Sequence, residues 1–189
     1  SSEWDDSEVF QNCTSLLSIE VPGGVGVMGR GNFRGCSSLR RVTMGKGIWM
    51  IGEYAFESCS NLQEVVFPEG LQQIHGRAFY NCSKLTDVQL PSTVSHLRWE
   101  AFRNASSLLK VVLEGDAPSL DGEVFNGLPG DARAYINAGA SGYGAFYGGL
   151  PVVGKPTISM QGDTVFYHPS GVPYEDSGVE ALDGSGNPL

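Results

Sequence analysis

The chain has 189 residues, which allows one or two domains, and its hydrophobic content of 41% is enough to build a core. No apolar run approaches the ~20 residues that a membrane-spanning helix needs, so the sequence predicts no membrane span. The net charge of −9 and the pI of about 4.7 argue against nucleic-acid binding, because phosphates would be repelled. The alternative interpretation is that the negative charge only keeps the protein soluble.

Residues 1–9 are acidic and contain one aromatic residue, Trp4. They correspond to the end of a repeat unit of the kind described next, but Asp5 occupies a position that is apolar in the later units. We interpret the segment as a polar cap, which an exposed solenoid end needs, or as the remainder of further repeats that were cut away. We favour the second interpretation.

From residue 10 the chain repeats a unit of 23 residues. Residues 55–77 read AFESCSNLQEVVFPEGLQQIHGR, and residues 78–100 repeat this as AFYNCSKLTDVQLPSTVSHLRWE. A fixed period of roughly 20–29 residues with the spacing L-x-x-V-x-L predicts a leucine-rich-repeat solenoid. Three of its apolar columns are Phe10, Phe33, Phe56, Phe79, Phe102 and Phe125; Leu16, Leu39, Leu62, Leu85 and Leu108; and Ile19, Val42, Val65, Val88 and Val111.

Each unit is predicted to contain two short strands and a corner. The L-x-x-V-x-L spacing alternates like a strand whose apolar side faces inward. Pro22, Pro68 and Pro91 then end the strand, because proline has no N–H to donate. A second extended segment follows, as in residues 71–74 and 94–97, and A-F-x-x-C predicts one helical or 3₁₀ turn. The predicted fold class is mainly β: a solenoid of 23-residue coils with two narrow parallel sheets and helical corners.

Four cysteines recur three residues after the column phenylalanine, at Cys13, Cys36, Cys59 and Cys82, and Ala105 takes this position in the fifth unit. Stacked strands hold parallel side chains ~4.8 Å apart, whereas a disulfide needs Cβ atoms ~3.8 Å apart and a twisted S–S bond. A zinc site needs ligands that converge on one point rather than a straight ladder. We therefore predict packed free thiols, which alanine can replace.

The unit A-F-x-x-C-x-x-L-x-x-V-x-L-P-x-x-V-x-x-I-G resembles the BspA-like leucine-rich repeat of bacterial surface proteins, over residues 9–125. Departures from the pattern are mild: Val9 and Asn32 replace the column alanine, and His75 and Arg98 replace a glycine. The resemblance implies a secreted or cell-surface bacterial protein that binds host or matrix proteins and has no catalytic centre.

The predicted domains are residues 1–115 as leucine-rich repeats, 116–153 as a divergent last repeat with a C-terminal cap, and 154–189 as a truncated second domain. In the cap, residues 134–136 are predicted to form a final strand, and residues 137–149 to close over the open core end. A flexible Gly-rich linker is the alternative. The last segment resembles the start of an Ig-like domain, through a Y-x-D-x-G-x-x-A-x-D motif at Tyr174, Asp176, Gly178, Ala181 and Asp183. Its acidic loop is more readily explained by solvation than by weak calcium binding.

The sequence contains no pattern typical of catalysis. His75, His96 and His168 fall in separate parts of the chain without paired ligands, and the nucleophile and phosphate-binding motifs of common enzymes are missing. The cysteines are predicted to face the core, where no base can activate them. We therefore expect no enzymatic activity, no cofactor and no metal.

Binding is predicted at outward positions, where the repeat allows variation. The candidate surface comprises Arg41, Thr43, Glu64, Val66, Asp87 and Gln89, together with the aromatic residues Trp49, Tyr54 and Trp99. Ser18, Glu20, Lys110 and Val112 are further outward positions. The expected partner of this monomer is a protein or a glycan. Two alternatives remain for the function: a spacer that holds other domains away from the cell, or an accessory substrate-binding region of a larger surface enzyme. For Tyr54 and Trp99, the alternative is that they only cover a neighbouring turn.

Overall fold

The computed structural model describes residues 8–154, and in this range it contains thirteen short strands and no helix. The predictions for residues 1–7, and for the Ig-like segment beyond Gly154, lie outside the described residues. The strands are β1 (Ser18–Val21), β2 (Val27–Met28), β3 (Arg41–Met44), β4 (Met50–Ile51), β5 (Glu64–Val66), β6 (Gln73–Ile74), β7 (Asp87–Leu90), β8 (His96–Leu97), β9 (Lys110–Leu113), β10 (Ser119–Leu120), β11 (Arg133–Ile136), β12 (Phe146–Tyr147) and β13 (Leu150–Gly154).

The strands stack into a solenoid whose register advances by 23 residues per coil. Ile19 lies beside Val42, and Val42 lies beside Val65, so like positions contact like positions. The longer strands form two sheets on one face, in the orders β1-β3-β5 and β7-β9-β11-β13-β12. The two-residue strands β2, β4, β6, β8 and β10 form a continuous parallel sheet, whereas the two-residue β12 pairs antiparallel with β13. The predicted leucine-rich-repeat solenoid is therefore confirmed.

The column phenylalanines form the centre of the core. From Phe10 to Phe125, successive rings stack with centroids 5.1–5.8 Å apart and interplanar angles of 4–15°. Phe79 is fully buried, whereas Phe10, in the first described coil, is 43% exposed. The cysteines are free, as predicted, and all but Cys13 are buried. Each coil thus contributes one ring to a continuous apolar stack.

The corners contain no helix within residues 8–154, so of the predicted helical or 3₁₀ turn only isolated i→i+3 hydrogen bonds are found, such as that from the Tyr80 N–H to the Arg77 carbonyl at 3.2 Å. Arg77 and Asn81, on either side of Phe79, have left-handed φ values of 55° and 59°. The N–H of Phe79 donates to the Ala101 carbonyl of the next coil at 2.8 Å, and that of Asn81 donates to the Arg103 carbonyl at 3.1 Å. An α-helix requires right-handed φ values and N–H bonds to the carbonyl four residues earlier. Because these N–H groups bind the neighbouring coil, the corner continues the lateral ladder instead.

The C-terminal end of the solenoid is covered by its own chain. β11 pairs with β9, which places a strand where residues 134–136 were predicted to form one. β13 adds to β11, and the buried Tyr147 packs against Phe125 with ring centroids 6.2 Å apart. The Tyr147 hydroxyl donates to the Pro118 carbonyl at 2.8 Å. These contacts hold residues 143–154 across the last coil.

Candidate functional site

Six of the nine predicted binding residues share one surface. Arg41 and Thr43 on β3 lie in register with Glu64 and Val66 on β5, and Asp87 and Gln89 follow on β7. We call this surface the long-strand face, and it consists of Arg41, Thr43, Glu64, Val66, Asp87 and Gln89. Most of these side chains are exposed, because alternate strand residues point away from the core.

Val112 was predicted to point outward into solvent, but it is only 5% exposed, so this prediction is wrong. Its neighbours in register are Gln89 and Tyr135. The Tyr135 ring also lies 5.6 Å from the Lys110 ammonium. Val112 is therefore shielded by the larger side chains that flank it on the same face.

The long-strand face is interrupted between β5 and β7, which belong to different sheets. In other coils the residue just before the strand donates its N–H to the preceding coil: Gln63 to the Arg40 carbonyl at 2.9 Å, and Leu109 to the Thr86 carbonyl at 2.9 Å. In the described part of the chain, Thr86 makes no equivalent bond to Gln63. The coils remain joined elsewhere, because β6 still pairs with β8.

Two sequence features distinguish this junction from the others: the charges of Glu64 and Asp87, and the aromatic ring of Phe67. Glu64 and Asp87 occupy the same column in adjacent coils, and like charges directly opposite each other destabilise strand pairing. Pro91 has no N–H for the Phe67 carbonyl, but it does not distinguish this junction, because Pro68 equally lacks one in the preceding coil and β3 still pairs with β5. Phe67 is also the only aromatic residue in its column, and its ring packs edge-on against Phe79. The like charges of Glu64 and Asp87, 23 residues apart, mark the break in the sequence, whereas the apolar columns run through it without a change.

A groove of about 660 Å³ opens at the break. Its charged lining residues are all carboxylates: Glu64, Glu69, Asp87 and Glu114. Val65, Val66, Phe67 and Pro91 form its apolar part, and Gln63 and Gln89 are its uncharged polar residues. We call this feature the β5–β7 groove. It brings together four of the predicted binding residues: Glu64, Val66, Asp87 and Gln89.

The three aromatic candidates lie away from this groove and are half-buried. The rings of Tyr54 and Trp99 meet edge-on with centroids 5.9 Å apart, although the residues belong to different coils. A Cβ built on Gly76 would lie 2.3 Å from the Trp99 indole, so this ring covers the glycine of the preceding coil. Trp49 similarly approaches Gly26, where a Cβ would lie 3.4 Å from the indole nitrogen. The aromatic residues therefore fill space that glycine leaves between coils.

Arginine side chains pack on the rings of Tyr54 and Trp99. The guanidinium groups of Arg30 and Arg34 lie 5.2 and 5.5 Å from the Tyr54 ring, and Arg77 lies 5.3 Å from the Trp99 ring. Arg77 also donates to Glu100 at 2.5 Å, and this hydrogen bond holds the pKa of the Glu100 carboxyl below its usual range. The carboxylate is thus kept ionised as a structural partner, which is the opposite of what a general acid needs.

Within residues 8–154, no group of three or more His, Cys, Asp or Glu side chains is placed to hold a metal ion. Burial lowers the pKa of His75, whose imidazole contacts the Gln73 side chain at 3.1 Å. No helix in the described range is long and apolar enough to cross a membrane.

Comparison with known proteins gives a family match and several similar structures. The family model described as "BspA type Leucine rich repeat region (6 copies)" matches residues 6–129. A leucine-rich repeat protein of T. pallidum is 26% identical with a TM-score of 0.57, over 65% of this chain and 58% of that protein. One from Bacteroides ovatus is 27% identical with a TM-score of 0.60, over 69% of this chain and 33% of that protein. The pneumococcal vaccine antigen PcpA has the same fold at 21% identity and a TM-score of 0.55, over 65% of this chain and 36% of that one. No curated protein matches the chain.

Proposed function

Because this chain belongs to the BspA-type leucine-rich repeat family, we propose that it is a non-catalytic binding module that recognises a protein or glycan partner at a bacterial surface. The observation that carries the proposal is the in-register stacking of coils. This stacking commits the apolar columns to the core and leaves the outward positions free to differ from coil to coil. A surface that varies on a constant scaffold is suited to recognition.

The long-strand face is the proposed binding surface. The charge of its residues changes from coil to coil, from the cationic Arg41 to the anionic Glu64 and Asp87. The apolar Val66 on the same face is 40% exposed. Apart from the 3.0 Å ion pair of Arg41 with Glu64, this surface offers polar groups that an extended partner can contact. Exposed ion pairs of this kind contribute only about 0–1 kcal/mol to stability, so a partner can displace them at little cost.

The three aromatic candidates are weaker candidates for partner contact than the long-strand face. Trp49, Tyr54 and Trp99 pack on glycine or arginine of neighbouring coils, which supports a role in holding the coils together. We assign the partner-binding role to the long-strand face and keep Trp49 as the aromatic residue to be tested.

The test is to present the chain to arrays of extracellular matrix proteins and glycans, and then to measure the affinity of each captured partner for three variants. Thr43→Arg with Gln89→Arg adds bulk and charge to the long-strand face, Gln73→Arg adds charge to the other sheet, and Trp49→Ala removes the indole. We expect the first variant to lose at least tenfold in affinity, and the other two to bind like the wild type.

Capture of no partner by the folded chain would contradict a binding module and favour the spacer. Equal affinity of all variants would contradict the assignment of the long-strand face. Loss of affinity only in Trp49→Ala would move the site to the aromatic residues. Circular dichroism spectra of each variant serve as the control for folding.

A further inference from the structure

We propose that Asn126 is a modification site, at which the backbone nitrogen of Gly127 converts the side-chain amide spontaneously to a carboxylate. The two residues lie at the last corner of the solenoid, directly after Phe125, and both are exposed. Two features of this corner favour the reaction. One is the residue that follows the asparagine, and the other is a backbone N–H that lacks the partner it has in earlier coils.

The reaction is an intramolecular acyl transfer. The Gly127 nitrogen loses its proton and forms a bond to the side-chain carbonyl carbon of Asn126, and the bond from that carbon to the amide nitrogen breaks with release of ammonia. The product is a five-membered succinimide ring. Solvent water then opens the ring at either carbonyl, which gives aspartate or isoaspartate. In isoaspartate the main chain passes through the former side chain and is one methylene longer.

A glycine after the asparagine removes the main obstacle to ring closure. A side chain on the following residue crowds the attacking nitrogen, whereas glycine has no Cβ. Of the eight asparagines in the sequence, only Asn126 precedes a glycine. At the earlier corners, Asn81 precedes a cysteine and Asn104 precedes an alanine. The sequence thus singles out one of several similar corners.

The N–H of Gly127 is also not held by a neighbouring coil. At the equivalent position of earlier corners, this N–H donates to a carbonyl of the next coil: Gly35 to Glu57 at 2.8 Å, and Asn104 to Asn126 at 2.9 Å. Within residues 8–154, Gly127 donates no such bond, because the cap does not continue the corner ladder. A bonded N–H keeps its proton and its position more firmly than an unbonded one. The attacking nitrogen is therefore less restrained here than at the earlier corners.

Deamidation changes the contacts of this corner. The side-chain amide of Asn126 donates to the Glu123 carboxylate at 2.7 Å, and Arg103 donates to the same carboxylate at 3.2 Å. A carboxylate at position 126 has no hydrogen to donate and repels Glu123. The adjacent Phe125 packs against Tyr147 of the cap, with ring centroids 6.2 Å apart. We therefore expect an extra methylene in the main chain at this corner to loosen the cap.

The test is to incubate the whole folded chain at mildly alkaline pH and to follow its tryptic peptides by mass spectrometry, where each deamidation adds ~1 Da. Trypsin releases Asn126 in residues 111–133 and Asn104 in residues 104–110, so the two asparagines are measured separately. We expect residues 111–133 to be converted at least tenfold faster than residues 104–110. The variant Asn126→Gln should lose this conversion.

The variant Gly127→Ser tests the role of the glycine. Serine is accepted in this column, because Ser58 has the same left-handed backbone with a φ of 60°, and the added Cβ displaces only the end of the Asn104 side chain. We expect at least fivefold slower conversion of residues 111–133 in this variant.

A matched variant tests the unbonded N–H. Arg34→Asn creates a second asparagine–glycine pair at an earlier corner, where the Gly35 N–H donates to the carbonyl of residue 57. Glu57→Gln is combined with it, because the buried Glu57 carboxylate would otherwise lose its 2.6 Å ion pair with Arg34. We expect conversion at position 34 to be at least tenfold slower than at position 126 in the same protein, with an unchanged circular dichroism spectrum.

The proposal is overturned if residues 111–133 are converted no faster than residues 104–110, or if the gain in mass persists in Asn126→Gln. Equal rates at positions 34 and 126 would overturn the role of the unbonded N–H. Hydrogen exchange of residues 137–149 tests the effect on the cap: it should be faster in the incubated wild type than in incubated Asn126→Gln, and equal exchange would contradict the loosening.

Discussion

The thiol of Cys59 donates a hydrogen bond to the carbonyl oxygen of Phe33, 26 residues earlier, with an Sγ–O distance of 3.1 Å. Cys82 makes the same bond to Phe56 at 3.3 Å. Each of these thiols ties its coil to the preceding coil at the corner where the phenylalanine rings stack. Burial raises the pKa of Cys59 to about 12 and raises the pKa of Cys82 well above its ordinary value. Both groups therefore remain protonated donors at neutral pH.

We expect the cysteines to react unequally with a thiol reagent such as 5,5′-dithiobis(2-nitrobenzoate) in the native protein. The exposed Cys13 should react in a fast phase of one equivalent, whereas Cys36, Cys59 and Cys82 should react only as fast as the protein opens, because the thiolate is the reacting species and burial suppresses it. Absorbance at 412 nm measures both phases. The variant Cys13→Ala should lose the fast phase, and more than one fast equivalent in the wild type would contradict the buried ladder.

Alkaline pH should lower the stability of the protein through the same thiols. An unfolded cysteine ionises near pH ~8.5, whereas the folded-state pKa of Cys59 is about 12. Since the folded-state pKa of Cys59 is raised, the contribution of its protonated thiol to the free energy of unfolding is fully present below pH ~8.5 and is lost as the pH rises toward 12. Each protected thiol contributes a slope of about 1.4 kcal/mol per pH unit. Urea denaturation at several pH values between 8 and 10 measures the fall.

The control for this pH dependence is Cys59→Ala with Cys82→Ala. Alanine already occupies the same column at Ala105, which is fully buried, so the variant should fold. Its free energy of unfolding should change less between pH 8 and 10 than that of the wild type. An equally steep fall in this variant would show that other groups cause the dependence.

The apolar columns were sufficient to predict the solenoid, its 23-residue register and its buried thiols. This succeeded because every coil places equivalent residues in equivalent contacts, as Phe56 and Phe79 do with a centroid distance of 5.3 Å. The corner was predicted only in part, because its N–H groups alternate between three-residue bonds within the coil, such as that from Cys82 to Phe79, and lateral bonds to the next coil, such as that from Phe79 to Ala101. Local spacing alone does not contain those interactions.

The candidate site was predicted only in part, for a related physical reason. The outward positions of β3, β5 and β7 follow directly from strand alternation. The β5–β7 groove depends on an interaction between coils, in which the like charges of Glu64 and Asp87 oppose each other. For Trp99 the sequence left open partner contact and cover of a neighbouring turn, and the indole does cover Gly76 of the preceding coil. Contacts of this kind between neighbouring coils can be predicted only by comparing each residue with the residues about 23 positions away.

Removing one ring from the stack should destabilise the whole solenoid. Phe79 is fully buried between Phe56 and Phe102, with centroids 5.3 and 5.1 Å away. Phe79→Ala should therefore lower the free energy of unfolding by about 3–5 kcal/mol. Phe146→Ala is the matched control, because this ring is 66% exposed, and it should cost less than about 0.5 kcal/mol. Urea denaturation followed by circular dichroism measures both, and similar values for the two variants would refute the buried stack.

The contact of Trp99 with Gly76 should appear as a coupling between two substitutions. Gly76→Ala places a methyl group where the Trp99 indole lies 2.3 Å away, so the ring must move, and we expect a loss of about 1–3 kcal/mol. In the Trp99→Ala variant the indole no longer occupies this position, so Gly76→Ala should change the free energy of unfolding only slightly. The difference between the two costs, measured by urea denaturation of all four proteins, is the coupling free energy. Gly130→Ala is the control, since a Cβ there meets nothing within 4 Å. A coupling near zero would mean that Trp99 does not cover Gly76 and would restore its indole as a candidate for partner contact.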